Sequence, residues 1–196
     1  MALDLRRTAF LRSAAAPRDL PPDQGAEVAF AGRSNAGKSS ALNAITGVHG
    51  LARASKTPGR TQLINLFEVA PDARLVDLPG YGYAAVPDAV RAGWHDMLEG
   101  YLGGRRSLRG FVLVMDIRHP LKDLDLELID WARSRALPIH ALLTKADKLS
   151  KAQADRAVRE VADALGAGTG VTAFSATKGT GRDAARRAVL AWLAEG

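Results

Sequence analysis

The stretch GRSNAGKSS, residues 32–40, decides the fold class of this chain of 196 residues. It matches the phosphate-binding pattern G-x-x-x-x-G-K-[ST] through Gly32, Gly37, Lys38 and Ser39. Glycine lets backbone N–H groups converge on phosphate oxygens, and a helix that begins near Lys38 would point its N-terminus at them. We expect Lys38 to reach the β- and γ-phosphates of a nucleotide and Ser39 to give its hydroxyl to Mg²⁺. The other loop residues assigned to this site are Arg33, Ser34, Asn35, Ala36 and Ser40.

The apolar pattern on both sides of this stretch alternates between strands and helices. EVAFAG (27–32) predicts a buried strand that leads into the loop. Further strands are predicted at 62–70, 73–77, 110–116, 138–147 and 170–176, and helical periodicity lies at 94–102, 121–131, 150–165 and 185–192. Together with the phosphate motif, this alternation predicts an α/β P-loop NTPase fold of three α/β/α layers with a mostly parallel six-stranded sheet. The turn between the adjacent strands 62–70 and 73–77 predicts that one edge strand is antiparallel.

Length and composition are those of a soluble globular protein, with 47% hydrophobic and 24% charged residues. No apolar run reaches the ~18–20 residues of a membrane helix. We assign residues 1–24 to an N-terminal arm and 25–196 to a single nucleotide-binding domain. The arm is rich in Arg and Ala, as transit peptides are, but Asp4 and Asp19 favour an arm of a cytoplasmic protein. The absence of cysteine excludes disulfides and thiolate metal sites and fits a reducing compartment.

The charge distribution favours a polyanionic partner. The formal net charge is +6, and no acidic residue occurs between Glu27 and Glu68, a tract that contains the phosphate motif. Solvated helix ends or faces are the alternative explanation for two later basic clusters. The basic residues of the acid-free tract are Arg33, Lys38, Arg53, Lys56 and Arg60, and the later clusters are Arg105, Arg106 and Arg109, then Arg182, Arg186 and Arg187.

DLPGYGYA, residues 77–84, places the pattern Asp-x-x-Gly at the end of a predicted strand. Asp77 fits a carboxylate that binds Mg²⁺, and Gly80 fits a glycine whose N–H meets a γ-phosphate. Taken alone, Asp77 is also consistent with a helix or turn cap. Tyr81 stands where the attacking water is often oriented, and a phenol cannot do what a glutamine amide does there. The ring packs either into the protein or against the switch, and hydrolysis is expected to be slow.

TKAD, residues 144–147, closes a predicted strand and resembles the N/T-K-x-D motif that reads guanine. Asp147 can accept hydrogen bonds from the ring N–H and the exocyclic amine of guanine, a donor pair that adenine lacks. Lys145 would lie along the base, and Thr144 stands where asparagine is commoner. SAT, after the last strand, would offer the N–H of Ala176 to the guanine carbonyl. The base site therefore also includes Ser175, Ala176 and Thr177.

SKTPGRTQ, residues 55–62, lies in the long loop that follows the phosphate motif. A threonine in this loop can complete the coordination of Mg²⁺ when a γ-phosphate is bound. We assign Thr61 to this role, with Thr57 as the alternative, and Gly59 and Arg60 to the same nucleotide site. A Pro-Gly turn with an incidental hydroxyl is the other explanation of the stretch.

These motifs follow one another in an order that resembles the EngB (YihA/YsxC) family of ribosome-biogenesis GTPases, in the translation-factor-related class. The resemblance covers roughly residues 8–194 and is carried by GRSNAGKSS, KTPGRTQLIN, DLPGYGYA, TKADK and FSATKGTG, with FLRSA and DIRHPLKDLD beside them. It implies a G-domain without accessory domains, GTP or GDP with Mg²⁺, and the bacterial cytoplasm. It also implies a role in assembling the large ribosomal subunit that normal growth and cell division need, with rRNA and ribosomal proteins as partners. Monomer is the default expectation.

Two descriptions of the activity fit these motifs. In the first, GTP·Mg²⁺ orders residues 48–61 and 77–93, and slow in-line transfer to water releases them. In the second, the nucleotide state gates docking onto rRNA and turnover is secondary. A P-loop ATPase or small-molecule kinase is the alternative class, and TKAD argues against it.

The residues assigned to catalysis are Asn35, Lys38, Thr61 and Gly80. Related GTPases that lack the glutamine use an asparagine of the phosphate loop to bind K⁺, and Asn35 is assigned to this role. A loop asparagine that satisfies its own backbone is the alternative. Stimulation by K⁺, by the ribosomal partner or by both is expected.

Overall fold

The computed structural model of the protein describes residues 3–53, 63–82 and 99–195. Residues 99–102 are helical, and the rest of the helix predicted at 94–102 lies outside the described residues. The strands are β1 Ala9–Ala14, β2 Ala26–Gly32, β3 Ile64–Ala70, β4 Ala73–Asp77, β5 Leu108–Asp116, β6 Ile139–Thr144 and β7 Gly170–Ala173. The helices are α1 Lys38–Thr46, α2 Asp123–Ser134, α3 Lys151–Leu165 and α4 Arg182–Leu193, with 3₁₀ turns at Leu5–Arg7, Pro17–Asp19 and Ala146–Lys148.

The seven strands form one sheet in the order β1-β3-β4-β2-β5-β6-β7. β2 pairs in parallel with β4 and with β5, and β6 and β7 continue the parallel part. β3 is antiparallel to both of its neighbours, β1 and β4. The predicted fold class, a mostly parallel sheet with an antiparallel edge inside three layers, is confirmed.

The sheet has one strand more than the six predicted, because Ala9–Ala14 pairs with β3 as an outer strand. Only Ala14 of this strand is buried, so its sequence lacks the alternation of apolar and polar residues that marks a half-buried strand. The register of the pair shifts between Phe10 and Arg12, where a bulge interrupts the ladder. Phe10 is 59% exposed and packs edge-on against Phe67, with 6.1 Å between the ring centroids.

The central strand β2 is buried along its whole length, and helices cover both faces of the sheet. α2 and α3 enclose one core, and α1 and α4 enclose the other. α3 begins at the predicted capping box, where the Ser150 hydroxyl accepts a hydrogen bond of 3.3 Å from the N–H of Gln153. In the part of the chain that the structure describes, no helix is both long and apolar enough to cross a membrane. The division into an arm, 1–24, and one domain, 25–196, stays a prediction.

A buried ion cluster holds the end of β2 that lies opposite the phosphate loop. The Glu27 carboxylate, which has no exposed surface, accepts hydrogen bonds from Arg74 Nε at 2.8 Å and from Arg105 Nε at 2.6 Å. The phenol of Tyr101 donates to the same carboxylate at 2.9 Å. The two arginine side chains are only 8% and 6% exposed. Arg105 is therefore part of the core and does not belong to an exposed basic cluster.

We predict that Glu27→Ala lowers the free energy of unfolding by about 3–5 kcal/mol, because it leaves two buried guanidinium groups without their carboxylate. Chemical denaturation followed by circular dichroism measures this loss. Glu160→Ala removes the exposed partner of Arg156 on α3 and should unfold like the wild type. Equal losses in the two variants would contradict the assignment of the ion cluster as a core element.

The difference in the free energy of unfolding between the wild type and Glu27→Ala should depend on pH. Burial opposes ionisation of Glu27, but hydrogen bonds and charge from Arg105, with the bonds from Tyr101 and Arg74, lower its pKa below the ordinary 4.5. A carboxylate with a lowered pKa stabilises the fold above its unfolded pKa and loses that contribution as the pH falls. The stability gap between wild type and Glu27→Ala should therefore be full at neutral pH and shrink below pH 4.5.

Candidate nucleotide-binding site

The phosphate loop connects the end of β2 to the start of α1. Gly37 precedes α1 with a φ of 92°, a backbone conformation that residues with a side chain rarely adopt. Asn35 also has a positive φ, 63°, and the N–H of Ala36 donates to the carbonyl of Arg33 at 3.0 Å. α1 begins at Lys38 as predicted, so the loop ends at the positive end of a helix dipole.

Lys38 and Asp77, which were assigned to phosphate and metal, meet across this loop. Asp77 is the last residue of β4, which runs parallel to β2. Its carboxylate forms an ion pair with the ammonium group of Lys38, and the two side chains are 7% and 11% exposed. Ser39 and Ser40 follow in the first turn of α1. The residue types that phosphate and Mg²⁺ require are thus gathered at one corner of the sheet.

The chain after Asp77 returns along the phosphate loop. The Ser34 N–H donates to the carbonyl of Tyr81 at 2.7 Å, and a Cβ placed on Gly80 would lie 3.6 Å from the Ser34 nitrogen. The Tyr81 side chain is only 3% exposed, and its hydroxyl donates to Asp125 on α2 at 2.6 Å. Burial, with the negative charge of Asp125, raises the pKa of Tyr81 well above its ordinary value. Of the two placements open for this ring, the structure shows packing into the protein.

Thr144 connects the predicted base motif to the phosphate loop. It is the last residue of β6 and is 3% exposed. Its hydroxyl bonds to the carbonyl oxygen of Ala36 and to that of Met115, the latter at 3.0 Å. A hydroxyl has one proton, so it divides this proton between the two carbonyl groups. Threonine, where asparagine is commoner, thus joins the end of β6 to β5 and to the phosphate loop.

Lys145 also contacts the phosphate loop, and it brings in a residue that was not predicted. Its ammonium group donates to the carbonyl of Asn35 at 2.7 Å and pairs with Asp116 at 2.9 Å. Asp116 ends β5, where the Arg118 guanidinium binds it in two places, at 2.9 and 2.6 Å. The hydrogen bond from Arg118 is the largest of the causes that hold the pKa of Asp116 well below its usual range, despite partial burial. The sequence could have indicated Asp116 as a site residue, because it is a carboxylate at the end of a predicted buried strand.

Asp147, the predicted guanine reader, lies in the 3₁₀ turn after β6. Its Oδ1 accepts a hydrogen bond of 2.7 Å from the hydroxyl of Ser175, which lies 3.1 Å from the hydroxyl of Thr177. This bond from Ser175 holds the pKa of Asp147 below its ordinary value, so the carboxylate is ionised at neutral pH. Ala176 is exposed beside it. The TKAD and SAT loops therefore form one bonded unit.

The structure places the predicted site residues that it describes at the carboxyl ends of the parallel strands. Their roles stay predictions. Gly59, Arg60 and Thr61, with the alternative Thr57, lie outside the described residues, so the predicted switch contact is not located. The predicted residues brought together are Gly32, Arg33, Ser34, Asn35, Ala36, Gly37, Lys38, Ser39, Ser40, Asp77, Gly80, Thr144, Lys145, Asp147, Ser175, Ala176 and Thr177.

Comparison with protein families gives a match of residues 27–145 to the family described as 50S ribosome-binding GTPase. The probable GTP-binding protein EngB of Glaesserella parasuis is 56% identical over 98% of this chain and 94% of its own length. The protein of the same description from Stenotrophomonas maltophilia is 53% identical, and the match covers 98% of each chain.

Solved structures show the same fold. A crystal structure of a probable GTP-binding protein engB has a TM-score of 0.70 at 22% identity, and the match covers 87% of this chain and all of that one. Era in complex with MgGDPNP and nucleotides of 16S ribosomal RNA has a TM-score of 0.61 at 19% identity, over 86% of this chain and 57% of that one. At these identities the likeness concerns the fold alone.

We predict that Thr144→Val lowers the affinity for GDP and for GTP alike by about tenfold, because the buried carbonyl of Ala36 loses its donor and the base motif loses this tie to the phosphate loop. Thr144→Ser keeps the hydroxyl and should bind both nucleotides like the wild type. Titration of fluorescent GDP and of a non-hydrolysable GTP analogue measures the effect. A loss of affinity in Thr144→Ser but not in Thr144→Val would show that the methyl group, and not the hydroxyl, matters.

Proposed function

We propose that this chain, which belongs to the EngB family of GTP-binding proteins and carries their GTPase domain, is a slow GTPase switch in the assembly of the large ribosomal subunit. Normal growth and cell division would need this activity, which we place in the bacterial cytoplasm. One observation carries the proposal: the base motif is bonded directly to the phosphate loop, through Thr144 to Ala36 and through Lys145 to Asn35. Such a unit suits a ligand that has both a base and a phosphate chain.

Guanine is the base that this site suits. The ionised carboxylate of Asp147 would accept two hydrogen bonds from the ring N–H and the exocyclic amine of guanine. Adenine would leave that acceptor without its donors, which discriminates strongly. Lys145 would lie along the base with its alkyl stem, and Ala176 would donate its backbone N–H to the guanine carbonyl. Ser175 supports this arrangement because it holds the Asp147 carboxylate in place.

The phosphate end of the site has the residues for Mg²⁺ and in-line transfer. The Ser39 hydroxyl and the Asp77 carboxylate are hard oxygen ligands beside the phosphate loop, and Thr61 would complete the set when a γ-phosphate is bound. The ion would supply neutralisation of charge on the transferred group. Lys38 would bind the β- and γ-phosphates, and the Gly80 N–H would contact the γ-phosphate.

Water activation cannot come from the side chain after Gly80, because the Tyr81 phenol is buried against Asp125. Slow intrinsic turnover follows from this. We propose that K⁺ supplies charge near the phosphates, with the side-chain amide oxygen of Asn35, an exposed residue, as one of its ligands. The backbone carbonyl of Asn35 already accepts from Lys145, which fixes the residue at the tip of the loop.

We predict that GTP turnover is about tenfold faster in K⁺ than in Na⁺ at equal ionic strength, since preorganised charge at the transferred phosphoryl group is a large part of catalysis. Asn35→Ala should abolish this difference and keep its affinity for GDP, which controls for damage to the loop. Phosphate release under multiple turnover is the measurement. Equal rates in the two salts would contradict the role of the ion.

The partner that the charge distribution favours is rRNA. Besides the net charge of +6, basic residues of the first 3₁₀ turn and of α4 meet around the C-terminal end of α1. A Cβ placed on Gly47 would lie 3.2 Å from Arg186 Nη2 and 3.7 Å from Arg6 Cγ. Arg186 donates to the carbonyl of Ile45, whereas Arg187 is exposed. We propose that the protein acts as a monomer and that this basic surface, formed by Arg6, Arg186 and Arg187, contacts ribosomal phosphates.

We predict that co-sedimentation with large-subunit precursors weakens about tenfold between ~50 and ~200 mM salt for every two phosphates neutralised. Arg187→Glu should weaken it further. Arg159→Glu, a reversal of an exposed arginine on α3 at the other face of the sheet, is the matched control and should pellet like the wild type. Sedimentation that is insensitive to salt would point to ribosomal proteins as the contact.

A further inference from the structure

The backbone of Gly80–Gly82 is held against the phosphate loop. The Tyr81 N–H donates to the carbonyl of Gly32 at 3.4 Å and its carbonyl accepts from Ser34 at 2.7 Å, which makes a parallel bridge. Gly82 has a φ of 73°, and a Cβ placed there would lie 2.9 Å from Nε of Arg33. The arginine of the phosphate loop thus covers the end of this segment. The position of Gly80 is therefore set by the bonds of the residue that follows it.

Besides the two backbone bonds of Tyr81 to the phosphate loop, its side chain forms a third bond, to α2. Its hydroxyl donates to the carboxyl group of Asp125 at 2.6 Å, at the short end of the range for O–H···O hydrogen bonds. The two residues are 3% and 1% exposed. Water therefore cannot readily replace either partner, and loss of the phenol would leave Oδ1 of this buried carboxyl group without the donor that it has here.

Asp125 is itself fixed in the first turn of α2. Its other carboxylate oxygen accepts from the N–H of Lys122 at 3.0 Å, and its own N–H donates to the Lys122 carbonyl at 2.7 Å. Further along α2, Leu128 and Ile129 are buried in the core that covers the sheet. The phenol therefore ties the chain beside Gly80 to a helix that the core holds in place.

We propose that Tyr81 and Asp125 are a positioning pair that holds the Gly80 N–H where a γ-phosphate meets it, and that the pair thereby sets how much the γ-phosphate adds to the affinity of the site for GTP relative to GDP. The inference rests on the proposed function, because it takes Gly80 as the γ-phosphate contact. Tyr81 acts through Gly80 and touches neither the nucleotide nor the water. GDP has no γ-phosphate, so its binding is independent of the pair.

Tyr81→Phe tests this directly, because it removes one oxygen and keeps the ring. Affinity for the βγ-imido analogue of GTP should fall about 5- to 10-fold, affinity for GDP should stay within about twofold, and single-turnover hydrolysis should slow. Tyr101→Phe is the matched control. Its phenol also donates to a buried carboxylate, that of Glu27, but this carboxylate lies at the far end of β2, roughly 16 Å from the phosphate loop. The control should lower thermal stability and leave the ratio of the two affinities unchanged.

A double-mutant cycle with Asp125→Ala separates positioning from general damage. If the phenol acts through this carboxylate, Tyr81→Phe has no further effect on the affinity ratio in the Asp125→Ala background. An unchanged ratio in Tyr81→Phe, or an equal change with and without Asp125, would overturn the inference. Either result leaves the proposed function standing, provided that the wild type binds and hydrolyses GTP. A wild type that does neither would refute the proposed function itself.

Discussion

Pairing of β2 along both of its edges is the constraint on which the rest of the molecule depends. β4 lies on one side of β2 and β5 on the other. The chain therefore forms β3 and β4 on the first side before it forms β5, β6 and β7 on the second. In such sheets the carboxyl ends of parallel strands border a crevice at the strand where the order reverses, and ligands bind there. The phosphate loop leaves from this strand. Asp77, Asp116 and Thr144, which end β4, β5 and β6, are brought beside it by the pairing alone.

Sequence patterns could predict the parts of the molecule that burial and spacing dictate. The phosphate loop, the parallel strands and the capping box before α3 follow from residue types at fixed intervals. Side chains that meet from distant parts of the sequence are not separated by a fixed number of residues, so spacing does not predict their contacts. Asp116 joins Lys145 across 29 positions, and Arg105 joins Glu27 across 78 positions, so neither contact left a local pattern. β1 was missed for another reason: its side chains are almost all exposed, and its strand character comes from the β3 edge that it joins.

The same type of hydrogen bond, from a tyrosine hydroxyl to a buried carboxyl group, occurs at both ends of the sheet. Each phenol donates to a carboxylate that is nearly or fully buried, Tyr101 to Glu27 and Tyr81 to Asp125. The first carboxylate has two arginines as well, which makes a closed cluster at the amino ends of the strands. The second is bonded to the backbone of its own helix and to a segment that borders the phosphate loop. The same bond therefore stabilises the core at one end and reaches the proposed site at the other.

The bulge between Phe10 and Arg12 has a consequence for self-association. A regular outer strand with exposed apolar side chains is a template on which a second chain can add its own strand, the first step towards aggregation. Phe10 and Leu11 expose 59% and 38% of their surface on such a strand. The bulge breaks the ladder and increases the local twist at this point, and Arg12 places a cation next to it. An irregular, charged border thus makes the open side of the sheet a poor template for strand addition.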